Sequence, residues 1–291
     1  MNPPVEVVLR SAELEVVLLP EIGGRLHRLR AFGHDLLRTP EDPATHRDHP
    51  FFWGAYVMAP WCNRIRPGPV EVAGRIVDLP PNFDDGTAIH GQVAARPWMV
   101  ETDGTLRTDG GADGWPWAFE VTCHPSLDGP TLTLAYRLTN RADGPMPAGI
   151  GLHPWFRRPV EVGVPAATVY PANTDSPSAP EPVSGPLDLR SRQQLAPDLD
   201  ASWASLAKPR IDLAWKELGL TARIEFEGDR LLVAAASPAD MDAVAVEPQT
   251  HGPDGLRRLL RGEPDALTML QPGASLALTL RLTVTLARVL R

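Results

Sequence analysis

Two histidines stand in short motifs that could carry acid–base chemistry. His90 lies in Thr-Ala-Ile-His-Gly-Gln, and His153 lies in Gly-Ile-Gly-Leu-His-Pro-Trp-Phe. Glycine before His153 and proline after it predict that this imidazole lies near the end of a strand, where functional side chains are common. An isolated histidine is more often structural, so neither motif identifies a site by itself.

Glu247 is the carboxylate with the most informative setting. It follows the apolar run Ala243–Val246 and precedes Pro248 and Gln249. A glutamate at the mouth of a buried strand is partly desolvated, which raises its pKa and makes it a better general base near neutral pH. The alternative interpretation is an ordinary strand-end glutamate held in a salt bridge.

Arg64 stands in Trp-Cys-Asn-Arg-Ile, a combination that suits a polyol. An aromatic ring can stack on the C–H face of a sugar, and amide and guanidinium groups can donate to its hydroxyls. Four tryptophans are candidate stacking platforms, although each could equally lie in the core: Trp53, Trp61, Trp155 and Trp203.

Metal and cofactor motifs are weak or missing in the sequence. His46 and His49 have a metal-like spacing but no evident third ligand, so no metal is predicted. The chain contains no phosphate-cradling glycine loop with lysine and no Gly-x-Ser-x-Gly elbow, and its Gly149-Ile-Gly151 pair lacks a third glycine. No cofactor is therefore predicted.

Composition narrows the class of protein. The 291 residues include 28 Lys+Arg and 36 Asp+Glu, and the net charge of −8 argues against nucleic-acid or anionic-membrane partners. Cys62 and Cys123 are too few for a disulfide framework, so we expect two buried free thiols. The N-terminus lacks a signal-peptide pattern, and no apolar run approaches membrane-spanning length. We expect a cytoplasmic protein, a monomer or a homodimer.

These side chains must be positioned by strands, because two-residue alternation is the strongest periodic signal. Apolar residues alternate over Thr131–Thr139 and over Ser275–Leu286, which places each set on one strand face. Turn-rich separators and scattered Pro and Gly predict an antiparallel all-β sandwich, formed as one domain over residues 1–291. Weaker strand candidates are Val5–Leu9, Leu14–Leu19, Val70–Leu79, Trp117–Cys123, Ile224–Glu227, Leu231–Ala235 and Ala243–Val246.

Two segments depart from this pattern. Ala201–Leu206 could form a single helical turn with Asp200 as its N-cap. The stretch Pro171–Pro197 is rich in Pro, Ser and Asp, and we expect it to be a long surface excursion within the domain.

Taken in order, several segments resemble the aldose 1-epimerase (galactose mutarotase) family. They are Gly23-Gly24, the stretch Ala59–Ile65, Ile89-His90-Gly91, the stretch Asn140–Phe156, Val246–Gln249 and the turn Gln271-Pro272-Gly273. The resemblance spans most of the chain and implies a β-supersandwich of antiparallel sheets with few short helices. It also implies interconversion of the α- and β-anomers of a free aldose, with no metal or nucleotide.

The resemblance also implies roles for individual residues. Glu247 matches the catalytic base and His153 the catalytic acid, while Arg64 and His90 match residues that bind and orient the sugar. Asp200, in Leu-Asp-Ala-Ser-Trp, matches a substrate-binding aspartate, with Asp198 as the nearby alternative. The role of His251 stays open. Glu247 would take the O1 proton from one side, and His153, as imidazolium, would protonate the ring oxygen from the other.

Two alternatives remain open at this point. A sugar-phosphate 1-epimerase of similar fold would need extra cations near C6 of the sugar, for which five arginines are available: Arg25, Arg75, Arg96, Arg157 and Arg158. A sugar-binding module without catalysis would be expected to lose the acid or the base, and both are present. The preferred aldose does not follow from the sequence.

Overall fold

The computed structural model describes residues 4–172 and 179–287, and its strands pair antiparallel. In chain order the strands are Val7–Arg10 (β1), Leu14–Leu19 (β2), Arg25–Ala31 (β3), His34–Asp35 (β4), Ala55–Met58 (β5), Arg64–Ile65 (β6), Val70–Val72 (β7), Arg75–Val77 (β8), Ala88–Ile89 (β9), Met99–Val100 (β10), Leu106–Ala112 (β11), Trp115–Asp128 (β12), Thr131–Asn140 (β13), Met146–Ala148 (β14), Gly151–Arg157 (β15), Glu161–Gly163 (β16), Ala166–Tyr170 (β17), Glu181–Pro182 (β18), Leu199–Leu206 (β19), Arg210–Trp215 (β20), Leu220–Gly228 (β21), Leu232–Ser237 (β22), Ala243–Gln249 (β23), Thr268–Leu270 (β24) and Ser275–Leu286 (β25).

Helices are few and short in the described part of the chain. The α-helices are Thr45–Asp48 (α1) and Gly255–Arg261 (α2), and single 3₁₀ turns occur at Gly185–Leu187 and Lys216–Leu218. The expected all-β class is confirmed. None of the helices among the described residues combines the length and apolar character that crossing a membrane requires.

Two large sheets form the body of the molecule. One sheet has the order β1-β2-β3-β5-β15-β23-β22-β19-β17-β18, with β4 added beside β3. The other has the order β10-β11-β12-β13-β25-β21-β20-β16. Three small pairs complete the described strands: β6-β9, β7-β8 and β14-β24.

The register of the second sheet aligns the alternating leucines of β13 and β25. Leu132 pairs with Leu282, Leu134 with Leu280, and their side chains are buried. These leucines face the core that the two sheets share, which also contains Leu26 and Phe156 of the first sheet. The predicted strands Thr131–Thr139 and Ser275–Leu286 are therefore confirmed, together with their buried face.

The central strands of the first sheet are buried on both faces. Leu152 and Phe156 of β15 point into the shared core, whereas Trp155 belongs to a separate buried cluster on the other face, with Tyr56. Because successive side chains of a strand point to opposite faces, His153 and Trp155 lie on this outer face. The candidate site is built there.

Three expectations need correction. Val70–Leu79 is not one strand but the hairpin β7-β8, since Ala73 and Gly74 adopt positive φ and turn the chain. Ala201–Leu206 is not helical: it belongs to β19, which pairs with β17 and β22. The described part of Pro171–Pro197 lies mostly at the surface, as expected, but it is not only an excursion, because β18 joins the first sheet and Leu189 is buried. Residues 173–178 of that stretch lie outside the described residues.

Candidate active site

Neighbouring strands bring His153 and Glu247 into direct contact. Strands β15 and β23 pair at Gly151–Gln249 and at Trp155–Ala245, a register that sets His153 opposite Glu247. Nε2 of His153 lies 3.2 Å from Oε1 of Glu247. The two side chains therefore lie side by side, and the expectation that they flank a sugar from opposite sides is wrong.

Both residues lie within strands rather than at strand ends. His153 is the third of seven residues in β15, and Glu247 is the fifth of seven in β23. Pro154 and Pro248 have no N–H, so they cannot donate to the ladder between these strands. The glycine and proline around His153 thus mark an interrupted part of the ladder, not the end of a strand.

Burial controls the protonation of this pair. His153 is 4% exposed and Glu247 is 3% exposed. Desolvation raises the pKa of Glu247 well above its ordinary value, and it lowers the pKa of His153 to about 3. Nδ1 of His153 and Oε2 of Glu247 have no hydrogen-bond partner among the described residues. The pair therefore favours its uncharged form, a carboxylic acid beside a neutral imidazole.

Aromatic rings surround the imidazole of His153. Tyr56, its cross-strand partner on β5, stacks on it with ring centroids 4.6 Å apart. The His90 ring meets it edge-on at 5.0 Å, and the Trp155 ring lies 4.9 Å away. Burial first, then His153 and Arg64, lower the pKa of His90 well below its ordinary value. Both imidazoles are therefore neutral at physiological pH.

Arg64 is held between two carboxylates. Its Nε donates to Asp85 at 2.7 Å, and its Nη1 donates to Asp200 at 3.3 Å. Asp198, the alternative to Asp200, instead accepts a hydrogen bond from the backbone N–H of Ala239. Arg64 and Asp200 thus form one polar edge of the site.

A small sheet carries Arg64 and His90 into place. Arg64 pairs with Ile89 across β6-β9, and the His90 N–H donates to the carbonyl of Asn63. Both Asn63 and His90 have positive φ, which turns their side chains away from the strand direction. The Asn82 side chain both accepts from and donates to the backbone of Ile89.

A cavity of about 270 Å³ connects these groups. All five predicted site residues line it: Arg64, His90, His153, Asp200 and Glu247. Of the four tryptophans proposed as stacking platforms, Trp155 lines this cavity, whereas Trp61 and Trp203 are buried in the core cluster and Trp53 stacks on Arg38. Ala236 forms part of the wall between Asp200 on β19 and Ala245 on β23.

Several lining residues were missed by the sequence analysis. They are Phe51, Phe52, Tyr56 and Phe83. Asn63, the amide of the Trp-Cys-Asn-Arg-Ile motif, lines the cavity together with Arg64, as that motif suggested. The phenylalanines and Tyr56 come from loops and a short strand without periodicity, so no sequence signal separates them from core aromatics.

The five arginines considered for a sugar phosphate lie elsewhere. None of them is among the described residues that line the cavity. Arg75 pairs with Asp143, Arg96 with Asp113 and Arg157 with Asp242. Arg158 donates to Ser237, and Arg25 is buried beneath Tyr56.

His251 supports the loop that precedes Arg64. Its Nε2 accepts from the N–H of Cys62 at 2.8 Å, so its Nδ1 donates to the carbonyl of Gly252 at 2.7 Å. The Gln249 side chain donates to the carbonyl of His251 and accepts from Asn63. His251 therefore anchors the backbone of the loop before Arg64, and it is not among the residues that line the cavity. Cys62 and Cys123 are buried free thiols, as expected.

Metal-binding geometry is not found among the described residues. No group of three or more His, Cys, Asp or Glu side chains there is arranged to hold a metal ion. His46 of the His46/His49 motif is buried against Arg25 and His27, whereas His49 is exposed.

Comparisons with known proteins agree with this architecture. The family model described as Aldose 1-epimerase matches residues 6–245, a range that contains Arg64, His90, His153 and Asp200 and ends two residues before Glu247. A search of curated proteins finds no match to the sequence.

Solved structures share the fold at low sequence identity. A galactose mutarotase-like protein from Clostridium acetobutylicum has a TM-score of 0.83 and 16% identity, over 97% of this chain and 95% of that one. An aldose epimerase homologue from C. elegans has a TM-score of 0.81 and 17% identity, over 98% and 100% of the two chains. A galactose 1-epimerase from Lactobacillus acidophilus has a TM-score of 0.75 and 16% identity, over 96% and 94%. The fold is therefore galactose mutarotase-like.

Proposed function

Since this chain belongs to the aldose 1-epimerase family, we propose that it interconverts the α- and β-anomers of a free aldose by acid–base ring opening and closure. The observation that carries the proposal is the 3.2 Å contact between His153 and Glu247 on the wall of a cavity. The cavity also presents Arg64, His90 and Asp200, whose polar atoms suit the hydroxyls of a monosaccharide.

The adjacency of the two groups suits this reaction. In a pyranose, the O1 hydroxyl and the ring oxygen O5 are bonded to the same carbon, C1. An acid and a base that lie next to each other can therefore serve these two oxygens together. Glu247 takes the O1 proton while His153 protonates O5, and the C1–O5 bond breaks to give the open aldehyde. After rotation about C1–C2, the ring closes on the opposite face with the two roles reversed.

One proton shared by His153 and Glu247 is sufficient for this reaction. Burial lowers the pKa of His153 to about 3, so the imidazolium expected from the sequence is not its resting form. The carboxylic acid–imidazole pair and the carboxylate–imidazolium pair carry the same number of protons. Moving one proton across the contact converts Glu247 into the base and His153 into the acid.

The remaining polar groups hold the sugar in place. Arg64 and His90 would bind ring hydroxyls from one edge, and Asp200 would accept from a hydroxyl while it also orients Arg64. Fixing the open-chain aldehyde close to its attacking hydroxyl favours ring closure over release. Trp155 and Tyr56 supply apolar walls for the C–H face of the sugar.

A free aldose fits this cavity better than a sugar phosphate. Among the described lining residues, Arg64 is the only Arg or Lys, and it already pairs with Asp85 and Asp200. Asp198, Asp200 and Glu247 also line the cavity. A phosphate dianion would therefore meet carboxylates and find little cationic compensation.

Catalysis is favoured over binding alone for a related reason. A module that only binds sugar gains nothing from a buried glutamate whose carboxylate is desolvated, because burying an ionisable group costs free energy. The contacting pair supports an enzyme. Calorimetric sugar binding without accelerated mutarotation would instead support the binding module.

Polarimetry tests the proposal directly. Freshly dissolved α-D-glucose, α-D-galactose and several other aldoses should reach anomeric equilibrium faster with the protein than without it, and hexose 6-phosphates should not. Glu247→Gln should lower kcat by at least about 100-fold, and His153→Asn should lower it as well, because each removes one partner of the proton transfer. Glu71→Gln, at an exposed position of β7, is the matched control.

Calorimetry should show that Glu247→Gln still binds sugar, since the amide keeps the shape of the side chain. Near wild-type turnover in Glu247→Gln would rule out this residue as the base.

A further inference from the structure

One cross-strand row of the first sheet connects His153 and Glu247 to a buried arginine. Leu26 pairs with Ala55 between β3 and β5, so the next residues, Arg25 and Tyr56, are neighbours. Cζ of Arg25 lies 5.4 Å from the centroid of the Tyr56 ring. Tyr56 in turn stacks on His153, which contacts Glu247. The order across four adjacent strands is thus Arg25, Tyr56, His153 and Glu247.

The guanidinium of Arg25 is fully buried and makes hydrogen bonds to uncharged acceptors. Its side chain is 0% exposed. Its donors reach four backbone carbonyls and one imidazole nitrogen: Ile22 at 3.3 Å, Trp53 at 3.2 Å, Pro50 at 2.7 Å, Ala94 at 3.0 Å and Nδ1 of His46 at 3.1 Å. None of these acceptors carries a negative charge, so the positive charge of Arg25 is not neutralised where it is held.

The histidines beside Arg25 do not neutralise its positive charge. Because a guanidinium only donates, Nδ1 of His46 must accept, and its Nε2–H then donates to Nδ1 of His27 at 2.9 Å. Burial and the charge of Arg25 lower the pKa of His46 to about 2, and burial with nearby arginines lowers that of His27 to about 4. Both histidines stay neutral and serve to orient the guanidinium.

We propose that Arg25 is a positioning residue for the proton-transfer pair: its uncompensated charge, two strands from His153, makes the imidazolium of His153 a stronger acid. The proposal rests on the proposed function. Moving the shared proton from Glu247 to His153 brings positive charge toward Arg25, which raises the free energy of the imidazolium. The imidazolium therefore gives its proton to the ring oxygen readily.

Other titratable groups also face His153, and the test must separate Arg25 from them. They are Tyr56 on β5, His90 after β9 and Glu247 on β23. Arg64 and Asp200 act at longer range through Glu247 and His90. Only changes at Arg25 or His46 alter the charge behind Tyr56 while leaving the cavity lining intact.

The experiment follows the His153 imidazole by NMR of ¹⁵N-histidine-labelled protein over a pH series, with His153→Asn used to assign the signal. Arg25→Gln removes the charge, and His46→Glu keeps Arg25 but places a carboxylate beside it. Both should raise the titration midpoint of His153 by up to about one pH unit. Arg25→Lys and His46→Gln, which keep the charge, should leave the midpoint in place, as should Arg30→Gln at an exposed position of β3.

Kinetics provide the second measurement. In Arg25→Gln and His46→Glu the acid limb of the kcat–pH profile should move up together with the His153 midpoint, with little change in KM, because Arg25 lies outside the cavity lining. His46→Glu decides the question if Arg25→Gln does not fold. Unchanged His153 titration in the folded variants would overturn the proposal. Absence of mutarotation by the wild-type protein would instead refute the proposed function, since the NMR comparison requires no turnover.

Discussion

At the scale of single residues, the site depends on a contact between two side chains that burial keeps uncharged. His153 and Glu247 are each less than 5% exposed and lie 3.2 Å apart. Desolvation acts on them in opposite directions, raising the pKa of Glu247 and lowering that of His153. As a result, the pair holds one proton over a wide pH range, and we treat that one-proton state as the active form.

The pH dependence of kcat should reflect this state. A second proton would protonate His153 while Glu247 is already protonated, which removes the base, so the acid limb should lie near pH 3. Loss of the shared proton removes the acid, so the alkaline limb should lie well above 4.5, the ordinary value for a glutamate. Polarimetric rates over a pH series, corrected for spontaneous mutarotation, measure both limbs.

Circular dichroism at each pH should accompany these rates, so that activity is compared only where the protein is folded. A narrow optimum bounded by pH 4.5 and 6.5 would show that the two groups titrate with their ordinary values and that burial does not govern them.

At the scale of elements, a two-stranded sheet sets the distance between the polar edge of the site and the proton-transfer pair. Arg64 belongs to β6, His90 directly follows β9, and the next residue, Gly91, forms a bridge to Ala59. Gly91 has a φ of +76°, and a Cβ there would lie 2.0 Å from the carbonyl oxygen of Ala59. Only glycine allows the two segments to approach so closely.

Gly91→Ala should therefore disturb both stability and sugar binding. The positive φ and the steric clash together should lower the free energy of unfolding by about 2 kcal/mol or more, and KM should rise because Arg64 and His90 shift. Gly74→Ala is the matched control: its φ is +73°, but no atom lies within 4 Å of the added Cβ. It should cost only about 1–2 kcal/mol and leave KM unchanged. Equal KM effects in both variants would contradict this explanation.

The elements also show which parts of the fold could be predicted from sequence. β13 and β25 have one face toward the core and one toward solvent, so their alternation was visible and their bounds were predicted closely. β15 is buried almost throughout and β23 throughout, and such strands show no alternation. The sequence therefore identified His153 and Glu247 by their neighbours but placed them at strand ends. The helix predicted for Ala201–Leu206 failed because sheet pairing overrode local propensity.

At the scale of the whole molecule, the same burial that shapes the site makes folding sensitive to acid. Four histidines outside the proton-transfer pair have lowered pKa values, with burial as the largest cause: His27 to about 4, His46 to about 2, His251 to about 4, and His90 well below its ordinary value. They are spread over the site, the loop before Arg64 and the region behind Tyr56. Neutral imidazole is thus a structural requirement in several places.

Thermal stability should consequently fall as the pH drops below about 6.5. Between the ordinary histidine value of 6.5 and the lowered folded values, the unfolded chain binds more protons than the native one. Each such histidine then removes up to about 1.4 kcal/mol of stability per pH unit. Asp254 and Glu247, whose pKa values burial raises, act in the opposite direction, but they are two groups against five once His153 is added to the four histidines. Calorimetric Tm values from pH 7.5 to 4.5 measure the effect.

The contribution of a single histidine to the pH dependence of stability can be isolated with one variant. His27→Gln keeps a polar side chain beside His46 and should reduce the pH dependence of the unfolding free energy by about one proton. A Tm that is constant between pH 7.5 and 4.5 would show that these histidines are not buried in neutral form.

The wall at Ala236 has a consequence for how this protein can diversify. Ala236 lines the cavity and lies in a cross-strand row that runs from Asp200 through Ala236 and Ala245 to Trp155. Because Ala236 belongs to a strand and not to a loop, we expect Ala236→Val to narrow the cavity and so to change which monosaccharides fit into it. His153 and Glu247, in the next cross-strand row on the same face, would stay in place.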